Sequence, residues 1–246
     1  MIANHRETRA AAKGGSTTSG PVRWIACWPT RAASMSVPGD EEAGVTTAVF
    51  DLGGVVVLWD PVPAVAAAVG RERAEHFVHG GDFDFGAWNH AQDAGRSWVD
   101  AEAAATESHP DLAEEIAAYR TNFALSLRGL VPGTAAILHS LHDRGVRLVA
   151  LTNWSAETIH HGPEAYPEVF DLFDDMIVSG AEGLAKPDLG IFQVLARRLG
   201  QPIEGVFYVD DSARNVEAAL AAGMDAVHFT DAAGLLEELR RRALLD

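Results

Sequence analysis

Five short runs rich in Val, Ile, Leu and Phe, at 46–51, 147–152, 175–178, 206–210 and 225–229, set the strongest limit on what this chain can fold into. Their apolar residues are continuous rather than alternating, as in strands buried on both faces of a parallel sheet. Helical stretches lie between and after them at 132–145, 188–200, 212–223 and 231–244. Pro132 and Gly133 suit a helix start, and Gly145, Gly200 and Gly223 suit helix ends. This alternation predicts the α/β class: a Rossmann-like, three-layer parallel-sheet core with right-handed crossovers. One interval breaks the rhythm. Between the first strand and the second lie about ninety residues with no good strand run and with alanine-rich helical stretches at 61–79, 99–107 and 111–127. A single crossover needs far less chain, so about 60–130 is expected to form a helical cap inserted after the first strand.

Charge divides the chain. Residues 1–39 hold five basic residues and one acid, whereas 40–246 hold 14 basic and 34 acidic residues. The overall net charge of −16 speaks against a nucleic-acid binder that depends on neutralising phosphates. Cys27 is the sole cysteine, so neither a disulfide framework nor a cysteine zinc site is available. No stretch approaches the eighteen apolar residues of a membrane span. The expectation is a cytoplasmic protein with neither nucleic-acid nor membrane partners. Residues 1–44, with the flexible run Gly14 to Gly20, are expected to be a disordered extension or one upstream of a true start at Met35, in preference to an organelle transit peptide. The folded unit is then 45–246.

In open α/β sheets ligands bind beyond the carboxyl ends of the strands, so the residues there carry the chemistry. The first strand ends in Asp51, followed after Leu52 by Gly53 and Gly54, an exposed acid beside backbone N–H groups open to an anion. The second ends in Thr152 and Asn153, a hydroxyl and an amide. Lys186 follows the third, and the fourth ends in Asp210, Asp211 and Ser212, of which Asp211 or Ser212 can cap the next helix. Asp51 and Asp211 suit a shared Mg²⁺, which takes one or two carboxylates plus substrate phosphate. Thr152 and Lys186 suit phosphoryl oxygens. The chain has 17 arginines and only two lysines, Lys13 and Lys186; a compact ammonium here is a point charge, without the wide fork of a guanidinium.

In order and spacing these residues resemble the four motifs of the haloacid-dehalogenase-like hydrolase superfamily, over residues 46–230. The segments Thr152-Asn153, Pro163 to Glu168 and Asp210 to Asn215 resemble its sugar-phosphatase branch, similar to bacterial glucose-1-phosphate phosphatases. The resemblance implies a Mg²⁺-dependent phosphatase acting on a small phosphorylated metabolite, a sugar phosphate being the instance the branch suggests. It implies Asp51 as nucleophile forming an aspartyl-phosphate, with Lys186 screening charge. Thr152, Asn153, Gly54 and Lys186 would contact phosphate. Asp51, Asp211 and the Gly53 carbonyl would hold the metal, with Asp210 acting through a water.

One departure matters. Phosphatases of the superfamily mostly carry a second aspartate, as general acid and base, where this chain has Gly53. Either the leaving group needs little protonation, or another group supplies the proton (His90, Asp93 and His161 are candidates), or the protein is a slow or retired enzyme. Trp154, His90, Asp93 and Arg96 are the candidates for substrate selection, Trp154 because it adjoins the Thr-Asn pair and the others because a cap loop there can reach the site. Trp59, Trp88 and Trp98 are expected in the core or the cap interface. Two rival functions remain: a 2-haloacid dehalogenase, which needs no metal, and a non-catalytic phosphate- and Mg²⁺-binding regulatory module.

Overall fold

The computed structural model describes residues 46–81 and 83–246; the expectation for 1–44 falls outside them. The first apolar run forms β1 (Thr47–Phe50), buried throughout. Alternate side chains serve opposite faces: Ala48 and Phe50 join one apolar core and Val49 the other. The chain turns at Gly53 and Gly54 into β2 (Val57–Trp59) and then into five helices, α1 (Val62–Val69), α2 (Arg71–His79), α3 (Phe85–Asp93), α4 (Trp98–Ser108) and α5 (Ala113–Thr121). The stretch expected as 61–79 is two helices, separated by Gly70 at φ +82°. Helix α3, which the alanine pattern does not mark, starts where the Asp84 side chain accepts the Ala87 N–H. These helices share an aromatic core in which Phe77, Phe83, Trp88, Trp98 and Tyr119 stand with ring centroids between 4.8 and 6.3 Å apart.

The return from the cap is β3 (Leu127–Leu130), paired antiparallel with β2. This corrects the expectation that the interval holds no strand. Three- and four-residue strands with an irregular register are too short to show a period of two. Both crossings between cap and core therefore lie in one hydrogen-bonded ribbon.

The remaining elements are α6 (Thr134–Asp143), β4 (Arg147–Thr152), α7 (His161–Ala165), α8 (Pro167–Phe170), β5 (Asp175–Val178), α9 (Ser179–Glu182), α10 (Leu189–Leu199), β6 (Phe207–Asp210), α11 (Ala213–Ala221), β7 (Asp225–His228) and α12 (Ala232–Arg241). The sheet runs β5-β4-β1-β6-β7, with every neighbouring pair parallel. Leu138, Leu141, Leu235 and Leu239 of α6 and α12 cover one face; Ile191, Phe192 and Leu195 of α10 and Ala219 of α11 cover the other. Strand order reverses beside β1, which opens a crevice past the ends of β1 and β6, the usual ligand position in such sheets. Among the described residues no helix is long and apolar enough to cross a membrane.

Candidate active site

Asp51 leaves β1 with its N–H bonded to the Val209 carbonyl of β6 at 2.9 Å, which fixes the two strand ends side by side. Its carboxylate takes the Leu52 N–H at 2.7 Å and the Lys186 ammonium at 2.9 Å. Lys186 is fully buried, and its Nζ also reaches Asp210 Oδ2 at 2.7 Å and the Leu151 carbonyl at 2.8 Å. An ammonium has three donors, and here three internal acceptors take them. Lys186 therefore supports Asp51 from beneath, and it is not among the residues of the cavity wall. Burial disfavours the charged ammonium, but Asp51 and Asp210 outweigh it and raise its pKa.

Asp210 is the anchor of this arrangement. It accepts the Tyr208 hydroxyl, the Ser212 N–H at 2.8 Å and the Asn215 amide at 3.1 Å in addition to Lys186. Burial alone would raise its pKa, but Lys186, Tyr208 and the Ser212 N–H together hold it below the ordinary value. The Ser212 N–H thus goes to Asp210, and the expected side-chain cap from Asp211 or Ser212 is absent. Asp51 behaves oppositely. Burial, aided by Asp210 and Asp211 and opposed by Lys186, pushes it up to about 7. Burial and Asp210 also raise Asp211.

Asp51, Asp210 and Asp211 bring carboxylate oxygens within 4.8 Å of one another. One ammonium does not balance three carboxylates, and an all-oxygen donor set suits a hard divalent cation. The backbone is shaped for it. A Cβ at Gly54, which sits at φ +73°, would lie 2.1 Å from Asp211 Oδ2, whereas a Cβ at Gly53 would meet nothing within 4 Å. We expect Gly54→Ala to lower stability by roughly 1–3 kcal/mol from backbone strain and to displace Asp211, whereas Gly53→Ala stays within about 0.5 kcal/mol of wild type. Thermal melts of the two variants and the Mg²⁺ dependence of their activity check this; equal behaviour would refute it.

Above these acids lies a cavity of about 310 Å³ between core and cap. The core contributes Asp51, Gly53, Gly54, Asp211 and Asn215, and the cap side contributes Trp59, Trp98, Tyr119 and Phe123 together with Asn89 and Asp93. Trp98 is buried in the cap core and ties cap to core, its indole donating to Ser155 Oγ at 3.0 Å and its backbone N–H to Glu157 at 2.9 Å.

A family model for haloacid dehalogenase-like hydrolases matches residues 45–223. The chain belongs to that family. A sesquiterpene phosphatase of Aspergillus oryzae is 28% identical over 207 residues, covering 79% of this chain and 94% of that protein. A phosphatase of Mycobacterium tuberculosis is 32% identical over 103 residues, 42% of this chain and 47% of that protein. In fold, the chain resembles a haloacid-dehalogenase-family enzyme of Bacteroides thetaiotaomicron solved as a magnesium complex, with a TM-score of 0.62 at 18% identity over 80% of this chain and 99% of that one. This haloacid dehalogenase-like chain is accordingly a hydrolase.

Several site residues of this hydrolase stand differently from expectation. Asn153 lines the cavity, but its amide donates to the Lys186 carbonyl at 2.9 Å and accepts the Lys186 N–H at 2.8 Å. Its side chain is thus a clamp on the Lys186 loop. Thr152 is buried at the end of β4 and is not on the cavity wall. Gly53 and Gly54 are on it, and the Gly53 N–H donates to nothing else among the described residues. Of the selection candidates, Asp93 and Trp154 reach the cavity, while His90 and Arg96 do not. Arg96 is turned back onto Gln92 at 2.7 Å and the Trp88 carbonyl at 3.1 Å. Trp154 is mostly buried, donates to Thr158 Oγ1 at 3.1 Å and lies 5.9 Å from the Phe123 ring, so it packs beneath the cap. His161 stacks on Phe123 away from the cavity wall. Tyr208 and Tyr119 escape sequence reasoning: Tyr208 reads as strand core, and the role of Tyr119 comes from long-range packing.

Proposed function

We propose that this enzyme is a Mg²⁺-dependent phosphomonoesterase working through an aspartyl-phosphate on Asp51, and that its substrate carries an apolar organic group of the isoprenoid or long alkyl kind. The observation that carries the reaction is the buried Lys186 bridging Asp51 and Asp210 beneath a cavity that Asp51 and Asp211 face. Asp51 and Asp211, with the Gly53 carbonyl, would hold the ion, and Asp210 orients Lys186. The bound ion would supply charge neutralisation between carboxylates and phosphate. Lys186 keeps Asp51 aimed and favours its ionised form. The Gly53 N–H is free to meet a phosphoryl oxygen.

The cap wall supports the apolar substrate. Trp59, Trp98, Tyr119 and Phe123 face the space above the acids. The polar cap groups there are Asn89, Asp93 and the Tyr119 hydroxyl, and the Asn89 amide already donates to Asp93 at 3.1 Å. Against this largely aromatic cap wall a sugar would give up more water from its hydroxyls than the few polar groups there replace, whereas apolar carbon gains by burial. The full-length relative named as a sesquiterpene phosphatase agrees with this. A dehalogenase would have little use for the uncompensated acids around Asp51.

The test is phosphate release from a prenyl monophosphate and from glucose 1-phosphate, with Mg²⁺ and with EDTA. We expect many turnovers per chain, abolition by EDTA, and kcat/KM at least about 10²-fold higher for the prenyl ester, equivalent to roughly 2.7 kcal/mol of differential binding. Metal-independent halide release would favour the dehalogenase, release of no more than one phosphate per chain the regulatory module, and preference for the sugar ester would overturn the substrate class.

A further inference from the structure

The inference rests on the phosphatase reading above. When an alkyl phosphate is cleaved, the departing oxygen needs a proton as the P–O bond breaks, and the water that follows must lose one. The core side of the cavity offers no group for this. Asp51 attacks, Asp211 faces the cation position, the three donors of Lys186 are committed internally, and position 53 is glycine. Among the described residues on the cap wall there is one carboxyl, that of Asp93 at the end of α3. We propose that Asp93 is the general acid and base of this enzyme, delivered by the cap because the core strand carries none.

Its surroundings suit the task. The Asn89 amide, one helical turn earlier, holds Oδ2 at 3.1 Å, and the Ser155 backbone N–H approaches from the core loop. No lysine or arginine pairs with Asp93 among the described residues, since Arg96 is engaged by Gln92 and the Trp88 carbonyl. On the neighbouring elements Arg73 pairs with Glu115, Glu102 with Arg120 and Glu182 with Arg198, while Glu157 accepts the Trp98 N–H. Tyr119 of α5 faces Asp93 and stays protonated, because burial lifts it well above the usual tyrosine value. Asp51 and Asp211 line the same cavity. Burial, opposed by the Ser155 N–H, pushes Asp93 up to about 7, so both of its forms are populated near neutrality, as a group that gives a proton and takes it back requires.

In the first step Asp51 forms a bond to phosphorus and the bond to the leaving oxygen breaks. That oxygen keeps the electron pair and takes the proton of Asp93, which becomes a carboxylate. In the second step the Asp93 carboxylate removes a proton from water as the water oxygen bonds to phosphorus. The bond from phosphorus to Asp51 breaks, its electron pair returns to the Asp51 carboxylate, and inorganic phosphate leaves with Asp93 again protonated.

The plain structural alternative makes Asp93 only a tie between α3 and the Ser155 loop. Comparing an alkyl phosphate with p-nitrophenyl phosphate, whose leaving group needs no proton, separates the two. We expect Asp93→Asn to lower kcat/KM for the alkyl ester by about 10²–10⁴. With the nitrophenyl ester it should keep a rapid burst of one nitrophenolate per site followed by slow turnover, because the phosphoenzyme then lacks its base. Adding Gly53→Asp, a position with open space around it, should restore alkyl ester cleavage at least tenfold. In the unmodified protein, single-turnover cleavage of the alkyl ester should decline as pH rises past neutrality while the nitrophenyl burst does not; this comparison decides alone if Asp93→Asn does not fold. Equal losses on both esters without a burst, a double variant no better than Asp93→Asn, or matching pH profiles would each overturn the proposal. A wild-type protein that releases phosphate from neither ester would overturn the phosphatase reading instead, so the two failures are distinguishable.

Discussion

Asp51→Asn should abolish phosphate release and leave the fold intact. Removing a covalent nucleophile costs on the order of 10⁴–10⁶ in kcat, and the other carboxyls on the cavity wall, Asp211 and Asp93, are assigned to the cation and to proton transfer. Asp210 is wholly enclosed and its oxygens are taken by Lys186, Tyr208, Ser212 and Asn215. The fold should not suffer, and the sign follows from the titration of Asp51. Burial raises this carboxyl above its unfolded value, so the native state binds its proton more tightly than the unfolded chain. Ionised Asp51 therefore subtracts from stability once pH rises above the unfolded value. An amide of the same shape removes that penalty, so the melting temperature above neutral pH should be equal to or higher than that of wild type. Phosphate release assays and melting curves on one preparation check both halves. Unchanged turnover would end the aspartyl-phosphate mechanism, and a large fall in melting temperature would show that the site acids are more structural than argued.

Lys186→Met should be the most destabilising single change at the site. It leaves two buried carboxylates without their shared cation, and breaking a buried ion pair by removing one partner costs roughly 3–5 kcal/mol. For a chain of this size that is about 6–20 °C in Tm. The loss has a pH signature. The depressed pKa of Asp210 gives stability that is present above its unfolded value and fades as pH falls through its folded one. The raised pKa of Lys186 gives stability that is present below its unfolded value and fades as pH rises through its folded one. Neutral pH lies inside both ranges, so the deficit of Lys186→Met should be largest there and shrink in acid as Asp51 and Asp210 protonate. Denaturant titrations at neutral and acid pH measure it. A pH-independent deficit would contradict the charge account. Activity should fall by about 10²–10³, as when one fixed charge-stabilising donor is removed.

The core strands and the four charged positions were legible in sequence for two physical reasons. A strand covered on both faces must be apolar without interruption, which marks 147–152 and 175–178 almost to the residue. Carboxylates and a rare lysine at consecutive strand ends have few structural uses in common, so Asp51, Lys186, Asp210 and Asp211 stand out together. The cap strands are too short to show periodicity. Asn153 looks like a phosphate contact because an amide beside a hydroxyl says nothing about what faces it 33 residues later. Whether Lys186 points at phosphate or at its own carboxylates depends on donors counted in three dimensions. Asp93 was visible as one candidate among several; its separation from His90 and His161 depends on which side chains the cap turns inward.

The placement of Lys186 has a consequence for chemical modification. It is the sole lysine among the described residues, and its ammonium is sealed beneath the floor of the cavity. The surface of the described residues therefore presents no lysine side-chain amine to acetyl donors, aldehydes or ubiquitin-type conjugation. Acylation in this region would have to wait for local opening, so its rate would report how often the catalytic floor comes apart.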